Sequence, residues 1–356
     1  MPCYEPNIVL IDHSPEMEGQ PAKIRKFINS KSKEFPGYEY FDKENNLLNT
    51  LENNYLEYCK IPCKWCAGCQ EKYSKDWATR CMLEASQYEH NYFITLTYDE
   101  EHIPRDDYIL NRKTGELIEN DNWEQGHLEP DDVVKFMKDL RRYWEYHYDH
   151  TGIRFFLCGE YGGQTKRPHY HAILFNCPIQ PDMLKIHTIS KSGDTLWECD
   201  TIQSIWGKGF ISIAEVNWDT CAYVARYVMK KMKGRVENEF YFQNGMSPEF
   251  IRMSRMPGIG LDFFTSNFQK IYANDEIILK GHKEKIQPIK PPEYYDEKFA
   301  ELHPDIMADI KEHRKRIAKE QNKLKNMQTS LTEKERLKIE ERTKISKWNT
   351  LKRNKV

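Results

Sequence analysis

Two apolar segments joined by a short Gly-rich loop constrain the fold of this chain most strongly. Residues 153–160 read IRFFLCGE and residues 169–175 read HYHAILF, with YGGQTKR and a proline between them. Aromatic and β-branched residues favour strands, and glycines in a short connection favour a reversal of the chain. The pattern predicts an antiparallel hairpin whose second strand is buried.

His169 and His171 alternate with apolar residues in the second strand. Because side chains alternate between the two faces of a strand, both imidazoles point to the same face. Pairing of the hairpin brings Glu160, at the end of the first strand, alongside them. A carboxylate and two imidazoles make a set of three ligands that suits a divalent ion and leaves positions open for substrate oxygen or water. The alternative is that the histidines are hydrogen-bonded structural residues.

Half of the ten cysteines lie close together, between positions 59 and 81. The N-terminus has no recognisable secretory signal, and clustered cysteines in that context favour metal binding or reduced thiols over disulfides. Cys63, Cys66 and Cys69 form a C-x2-C-x2-C run, which predicts a structural zinc site. The alternative is a set of small buried hydrophobic residues. The candidates for a fourth ligand are Cys3, Cys59 and Cys81.

Helical and strand patterns surround the hairpin. Residues 72–90 predict a helix, and NYFITLTY at 91–98 predicts a strand. A further helix is predicted to begin at Pro130, because apolar residues recur at helical spacing after it. That apolar stripe comprises Val133, Met137, Leu140, Trp144 and His147.

Residues 219–234 predict a helix that carries two tyrosines on one face. Tyr223, Tyr227 and Lys230 are spaced i, i+4, i+7, so the two phenols lie about one turn apart along the axis. Asp219 or Thr220 is the expected N-cap. The alternative is an aromatic ladder packed in the core.

Charge is unevenly distributed along the chain. Residues 311–356 contain 16 Lys and Arg against 6 Asp and Glu, whereas residues 1–310 contain 37 against 49. A basic tail on an acidic body favours a polyanionic partner, and the alternative is a solvated charged helix. Ser330 and Glu333 have the spacing of a capping box for a final helix. No apolar run is long enough to span a bilayer, so no membrane partner is expected.

The motifs in this order resemble the HUH endonuclease superfamily, and more closely the replication initiators of the Microviridae, particularly the gokushovirus branch. A His-hydrophobic-His strand followed by a helix with Tyr-x3-Tyr is specific as a combination. The resembling segments are PCKWCAGC, WATRCMLEAS, YFITLTYDEEHIP, RFFLCGEYGGQTKRPHYHAILF, AYVARYVMKK and PEFIRMSRMPGIG.

The resemblance implies an α+β fold, with an HUH-type nuclease domain built on a central antiparallel sheet of about five strands and helices mainly on one side. A Cys-rich N-terminal segment precedes this domain and a charged helical tail follows it. The expected divisions are a zinc-stabilised segment at 1–90, the nuclease domain at 91–270, a Pro-rich linker at 271–300 and the tail at 301–356. The metal is expected on the open face of the sheet, and Cys3 is the preferred fourth zinc ligand because the family often carries an early cysteine.

The resemblance also implies rolling-circle replication of a small single-stranded DNA phage. Tyr223 and Tyr227 would be nucleophiles, Lys230 would support them, and Mg²⁺ or Mn²⁺ would be held by His169, His171 and Glu160. The expected partners are single-stranded DNA at the phage origin and, in the cytoplasm of the bacterial host cell, a host helicase and polymerase. The alternatives are an HUH plasmid initiator or transposase with the same chemistry, or a non-catalytic, zinc-containing DNA-binding regulator.

Overall fold

The structure is a computed structural model in which two compact units are distinguished. One unit comprises residues 1–72 and 309–356, and the other comprises residues 73–308. The described residues are 3–12, 23–28, 56–110, 115–119, 126–163, 165–190, 193–230, 241, 246–280 and 286–353.

Helices and strands both contribute substantially to the described part of the chain. The helices are α1 Ala67–Ala85, α2 Pro130–Tyr148, α3 Asp200–Trp206, α4 Trp218–Lys230, α5 Leu261–Asn274, α6 Glu293–Leu302, α7 Pro304–Met327 and α8 Glu333–Arg353. The strands are β1 Asn7–Asp12, β2 Lys23–Ile28, β3 Leu56–Ile61, β4 Asn91–Tyr98, β5 Tyr108–Leu110, β6 Leu117–Glu119, β7 Arg154–Tyr161, β8 Pro168–Phe175, β9 Lys185–Ile189, β10 Thr195–Glu198, β11 Gly209–Glu215, β12 Phe250–Met253, β13 Ile277–Lys280 and β14 Ile286–Ile289. None of the described helices combines the length and apolar character needed to cross a membrane.

A seven-stranded antiparallel sheet dominates the 73–308 unit. Its strand order is β12-β7-β8-β4-β11-β10-β9, and each adjacent pair is antiparallel. The predicted hairpin is present as β7 and β8, and the predicted strand at 91–98 is β4. An α+β architecture with a large antiparallel sheet is therefore confirmed, with seven strands where about five were expected.

Helices cover both faces of this sheet, which differs from the expectation of helices mainly on one side. On one face, Leu140 and Trp144 of α2 and Trp206 of α3 pack with Tyr170 and Leu174 of the sheet. The other face holds a second apolar cluster, formed by α1, α4 and alternate residues of β7 and β8. Its buried members are Ala78, Cys81, Ala85, Phe156, Cys158, Ile173, Phe175, Cys221, Val224, Ala225 and Ile259. The strands β7 and β8 are apolar on both sides because both faces are covered.

Tyr170, between the two histidines, fixes which way β8 faces. Its hydroxyl lies 2.8 Å from the Tyr98 hydroxyl and accepts the backbone N–H of Glu129 at 2.8 Å. The Tyr98 hydroxyl donates to Asp132 in the first turn of α2 at 2.7 Å. Both tyrosines are fully buried, so a one-residue slip of β8 would break this network and reverse the face of each histidine.

A buried ion pair joins α1 to the start of β7. Arg154 donates to Glu84, and their side chains are only 10% and 1% exposed. Glu84 also accepts the backbone N–H of Gly260 at 2.6 Å, and Arg154 donates to the carbonyl of Pro257 at 2.7 Å. The pair therefore has hydrogen-bond partners on both sides, which a buried charge requires.

Part of the segment predicted as a Pro-rich linker at 271–300 is regular structure. The strands β13 and β14 pair with each other, and α6 follows them. Phe299 of α6 stacks on Tyr272 of α5, with ring centroids 3.9 Å apart, and Tyr272 donates to Asp296 at 2.8 Å. Prolines interrupted the sequence pattern, but the aromatic residues of α6 are packed, so this portion is not a free linker.

The unit formed by residues 1–72 and 309–356 contains a three-stranded antiparallel sheet, β2-β1-β3, and the helix α8. The N-cap of α8 is Thr332, whose backbone N–H donates to Glu335 at 3.0 Å while the Glu335 N–H donates to the Thr332 hydroxyl at 3.4 Å. The prediction of a Ser330–Glu333 box was therefore two residues early. For α4 the predicted N-cap, Asp219 or Thr220, was two or three residues late. The observed cap is Asn217, whose side chain accepts the Thr220 N–H at 2.9 Å.

Candidate active site

The hairpin brings Glu160, His169 and His171 together. Glu160 lies directly opposite His169 in the β7–β8 register. One carboxylate oxygen, Oε1, is 2.9 Å from Nε2 of His169 and 2.8 Å from Nε2 of His171. Three candidate ligand atoms thus converge on one point, as the sequence predicts for these residues.

The outward-facing ring nitrogens of both histidines have partners. Nδ1 of His169 lies 3.1 Å from the carbonyl oxygen of Arg167, and Nδ1 of His171 lies 2.9 Å from the hydroxyl of Thr95. A carbonyl only accepts hydrogen bonds, so Nδ1 of His169 is the nitrogen that donates to Arg167, and Nε2, which faces Glu160, is the nitrogen left to bind a metal ion once it has released its proton. Ligand histidines in metal sites are held in this way.

Burial and hydrogen bonding shift the pKa values of Glu160 and His171 in the directions that metal ligands require. The side chains of Glu160 and His171 are 3% and 8% exposed. Burial raises the pKa of Glu160, but hydrogen bonds from His169 and His171 outweigh that effect and the pKa falls to about 2. Burial lowers the pKa of His171 below its usual value. A carboxylate and a readily neutral imidazole are the protonation states that bind a divalent ion.

The donor set fits a divalent metal ion. The three ligand atoms lie within 4.8 Å of one another, and one carboxylate with two imidazoles leaves part of the coordination sphere of Mg²⁺ or Mn²⁺ for substrate and water. His169 is the more accessible histidine, with 17% of its side chain exposed. The residues present therefore suit the expected metal.

Tyr223 lies at the rim of this cluster. Its hydroxyl donates to Oε1 of Glu160 at 3.1 Å and lies 3.4 Å from Nε2 of His171. Phe93 stacks on His171, with centroids 5.4 Å apart, and meets the Tyr223 ring edge-on at 6.2 Å. The guanidinium of Arg226 is 5.6 Å from the centre of the Tyr223 ring. A phenol is thus placed beside the candidate ligands, with a cation next to it.

Tyr227 and Lys230 belong to the same helix, α4. The structure gives their backbone as its last turn, but their side chains lie outside the described residues. Gly234, the expected end of this helix, lies outside them as well. The helix sets the spacing of the two tyrosines, and side-chain contacts are described for Tyr223.

The second candidate metal site consists of Cys3, Cys63, Cys66 and Cys69, whose sulfurs lie within 4.8 Å of one another. The Sγ atoms of Cys63 and Cys69 are 4.0 Å apart, and those of Cys66 and Cys3 are 3.8 Å apart. A tetrahedral zinc ion with bonds of about 2.3 Å requires sulfurs about 3.8 Å apart. The geometry of the four thiols therefore fits zinc.

Backbone N–H groups surround the cysteine cluster. Tyr4 donates to the sulfur of Cys66, and Cys63 donates to that of Cys3, each at 3.2 Å. Hydrogen bonds from the thiols of Cys3 and Cys69 lower the pKa of Cys66 below its usual range, while the pKa values of Cys3 and Cys69 are raised above theirs, so one thiolate is favoured among the three. The backbone N–H donors to Cys66 and Cys3 favour the thiolate, which is the form that binds metal.

The two other candidates for the fourth zinc ligand differ in their settings. Cys81 is fully buried in the apolar cluster with α4, and the side chain of Cys59 lies outside the described residues.

The cysteine cluster also packs against the C-terminal helix, since Leu337 and Trp348 of α8 contact it. Among the described residues, Cys3 is the cysteine that completes the set of four.

The contact with α8 is polar as well as apolar. Glu341 accepts the backbone N–H of Ala67, the first residue of α1, at 3.0 Å, and Lys344 pairs with Glu71. A carboxylate at a helix N-terminus satisfies a free N–H and complements the helix dipole. Part of the basic tail is therefore a structural component of the cysteine unit.

Sequence reasoning missed Thr95 and Phe93. Both lie on β4 and alternate onto the face of the histidines, because Thr95 is directly opposite His171 in the β4–β8 register. The alternation within FITLTY would identify them once β4 is placed beside β8. The carbonyl of Arg167 carries no sequence signal, because any residue has one.

Comparison with known proteins places the chain among viral replication proteins. A family model described as replication-associated protein ORF2/G2P matches residues 91–232. The replication-associated protein ORF2 of Spiroplasma virus 4 is 33% identical over 294 residues, which cover 82% of this chain and 84% of that protein. No solved structure matches the chain.

Two further relatives come from phages of other bacteria. The replication-associated protein ORF4 of Chlamydia phage 1 is 29% identical over 63% of this chain and 50% of its own length. The replication-associated protein VP4 of Bdellovibrio phage phiMH2K is 26% identical over 69% of each chain. The chain therefore belongs to the replication-associated protein ORF2/G2P family, as a gokushovirus-like replication initiator.

Proposed function

We propose that this chain is a metal-dependent endonuclease that nicks single-stranded origin DNA and remains joined to the 5′ phosphate through a tyrosine, as the initiator of rolling-circle replication. The observation that carries this proposal is the position of Tyr223, whose hydroxyl is 3.1 Å from Glu160 and 3.4 Å from His171. A nucleophile and a set of metal ligands are needed at one phosphate for such a reaction.

Glu160, His169 and His171 would hold Mg²⁺ or Mn²⁺. When bound, the ion would offset charge on a nonbridging phosphate oxygen and align the phosphate. Thr95 and the carbonyl of Arg167 keep the inward nitrogens of the two imidazoles available. The buried position of Glu160 strengthens every charge interaction at this point.

The transfer step exchanges one phosphate ester for another. The Tyr223 oxygen forms a bond to phosphorus, and the bond between phosphorus and the 3′ oxygen breaks. The phenolic proton leaves the Tyr223 oxygen along its hydrogen bond to Glu160, and the released 3′ oxygen takes up one proton, so protons balance over the step. Arg226 is near enough to the Tyr223 ring to offset negative charge there. The ester energy is retained, so rejoining the strand requires no ATP.

Tyr227 would perform the second transfer. A round of rolling-circle replication needs one cut to start and another to release a circle, and the first tyrosine is occupied by DNA at that time. Tyr227 is four positions after Tyr223 in α4, which places it about one turn further along the helix. Lys230 would support the tyrosines by lowering a phenol pKa or by offsetting phosphate charge.

Cys3, Cys63, Cys66 and Cys69 would hold a structural Zn²⁺. Their sulfur spacing is the supporting observation, and closed sets of four thiolates are typical of zinc sites that stabilise a fold. The proposed partners are single-stranded DNA at the phage origin and a host helicase and polymerase. The proposed location is the cytoplasm of the bacterial host.

The test uses denaturing electrophoresis of the full chain incubated with Mn²⁺ and labelled single-stranded oligonucleotides that tile the viral genome. We expect a covalent adduct with one oligonucleotide, and mass spectrometry should locate the phosphate on Tyr223 or Tyr227. Each single Tyr→Phe variant should still form an adduct but release few closed circles, and the double variant should form none. Tyr146, an 82% exposed tyrosine, provides the matched control Tyr146→Phe.

His169→Ala and His171→Ala should abolish cleavage in a folded protein. His187, on β9 of the same sheet and 53% exposed, provides the matched control His187→Ala. Full activity of the double histidine variant, or full activity in EDTA, would contradict the proposed chemistry. DNA binding without any adduct would favour the alternative of a non-catalytic regulator. Because the relatives are viral proteins, they favour a phage replication initiator over a plasmid initiator or a transposase.

A further inference from the structure

One row of side chains crosses the large sheet from the candidate active site to an exposed aromatic ring. Directly opposite residues of antiparallel strands point to the same face. Glu160 is opposite His169, His169 is opposite Thr97, and Thr97 is opposite Phe210. These four side chains therefore share one face, in the strand order β7, β8, β4 and β11.

The row is covered at one end and open at the other. Tyr223 contacts Glu160, whereas Phe210 is 64% exposed. Side chains alternate between the two faces along β11, so Ile211 and Ile213 point to the opposite face, where they are buried. The open part of this face thus presents a phenylalanine ring beside the hydroxyl groups of Thr97 and Ser212.

Gly209 allows β11 to lie close to β4 at this point. It has φ of +143°, and a Cβ there would lie 2.4 Å from the carbonyl oxygen of Thr97 and from the backbone nitrogen of Asp99. A larger residue would therefore displace the start of β11. The close approach holds Phe210 two strands from His169, a separation of about 10 Å at the usual strand spacing.

We propose that Phe210 is a stacking platform for a base of the single strand whose phosphate lies at Glu160, His169 and His171, an inference that rests on the proposed function for that phosphate site. A single exposed phenylalanine is common on protein surfaces and carries little meaning alone. Its direct register with the candidate ligands, and the hydroxyl groups around it, distinguish this one.

A nucleobase suits the platform better than a protein surface does. Single-stranded nucleic acids bind through aromatic rings on which bases stack, together with polar and positively charged groups along the backbone. Thr97 and Ser212 offer hydroxyl groups beside the ring, and the exposed Arg226 lies at the other end of the row, beside Tyr223. A protein-binding patch would present a contiguous apolar area, whereas the nearest residues in register with Phe210 on this face, Thr97 and Ser212, are polar.

The test measures binding of the full chain to a fluorescent single-stranded oligonucleotide that contains the cleavage site, with no divalent ion added. Phe210→Ala should raise the Kd about 5- to 150-fold, as removal of one stacking contact does. Phe210→Tyr should bind like the wild type because it keeps the ring, and circular dichroism checks the fold of each variant. Tyr146→Ala removes an exposed ring elsewhere and should have no effect.

Oligonucleotides with a single abasic site identify the stacked base. Wild-type protein should lose affinity most at one position near the cleavage site, and Phe210→Ala should be insensitive to base removal at that same position. Unchanged affinity of Phe210→Ala would overturn the platform, as would an equal loss with every abasic oligonucleotide. A change in self-association of Phe210→Ala with unchanged DNA binding would instead indicate a protein contact and overturn it too.

The platform and the proposed chemistry fail in different ways. Because the binding assay contains no Mn²⁺, its result does not depend on cleavage. Wild-type protein that forms no adduct but shows the position-specific loss would refute the nicking chemistry and retain the platform. Adduct formation with unchanged affinity of Phe210→Ala would refute the platform and retain the chemistry.

Discussion

Thr95→Val should weaken binding of Mn²⁺ at the candidate active site without disturbing its packing. Valine has nearly the shape of threonine, so the substitution removes mainly the hydroxyl that lies 2.9 Å from Nδ1 of His171. Phe93 continues to stack on the imidazole and keeps the ring in place. The perturbation is thus confined to one hydrogen bond to a candidate ligand.

The magnitude follows from the burial of His171, whose side chain is 8% exposed. A buried Nδ1–H left without a partner costs about 1–3 kcal/mol. The ring avoids that cost by moving its proton to Nε2, which removes the lone pair that faces Glu160. Either outcome lowers the affinity for Mn²⁺ by a factor of about 5 to 150. This range agrees with the roughly 10- to 100-fold loss of metal affinity when a ligand loses its outer hydrogen bond.

Isothermal titration calorimetry with Mn²⁺ measures the effect, in protein whose cysteines are already loaded with zinc. Thr97→Val is the matched control, because Thr97 lies on the same face of β4 while His169 bonds to the carbonyl of Arg167. We expect Thr95→Val to bind at least about five times more weakly and Thr97→Val to match the wild type. Equal affinity of Thr95→Val and wild type would refute the reasoning, as would an equal loss in both variants.

Three further predictions concern other parts of the chain. Cys66→Ser should reduce bound zinc from one equivalent per chain and lower the melting temperature, which elemental analysis and calorimetry check. Glu84→Gln should destabilise the protein by about 3–5 kcal/mol in urea unfolding, because it leaves Arg154 buried without its charge partner. Replacement of the exposed Lys311, Lys315 and Lys319 of α7 by glutamine should weaken DNA binding and flatten its salt dependence, since fewer phosphate contacts release fewer counterions. An unchanged salt slope would exclude such contacts.

The sequence predicted the parts of the fold that depend on nearby residues. The hairpin of β7 and β8 follows from alternation and a short loop, and it places Glu160 beside His169 because only eight residues separate them in the sequence. The strand at 91–98 follows from its β-branched and aromatic content. The helix from Pro130 buries four of the five residues of the predicted apolar stripe, Val133, Met137, Leu140 and Trp144, whereas His147, the last of the five, is exposed.

Contacts between distant segments were not predictable in this way. Thr95 meets His171 only because β4 lies beside β8, and strand order is not encoded in local periodicity. Helices on both faces of the sheet were missed because β7 and β8 could be buried by helices or by another sheet. The tail was interpreted from its charge, and nothing local in it indicates that Glu341 caps the helix that begins at Ala67.

The contact between α8 and the cysteine cluster joins segments that are synthesised at different times. Ala67 and Glu341 are separated by 274 positions, and translation at about 5–20 residues per second takes about 14–55 seconds to cover that distance. The 73–308 unit carries its own apolar clusters, and all of it is synthesised before α8. During this interval Cys63, Cys66 and Cys69 lack the packing contacts that Leu337 and Trp348 later provide. Each new chain therefore has every strand of the sheet that holds Glu160 before it has the helix that closes its cysteine unit.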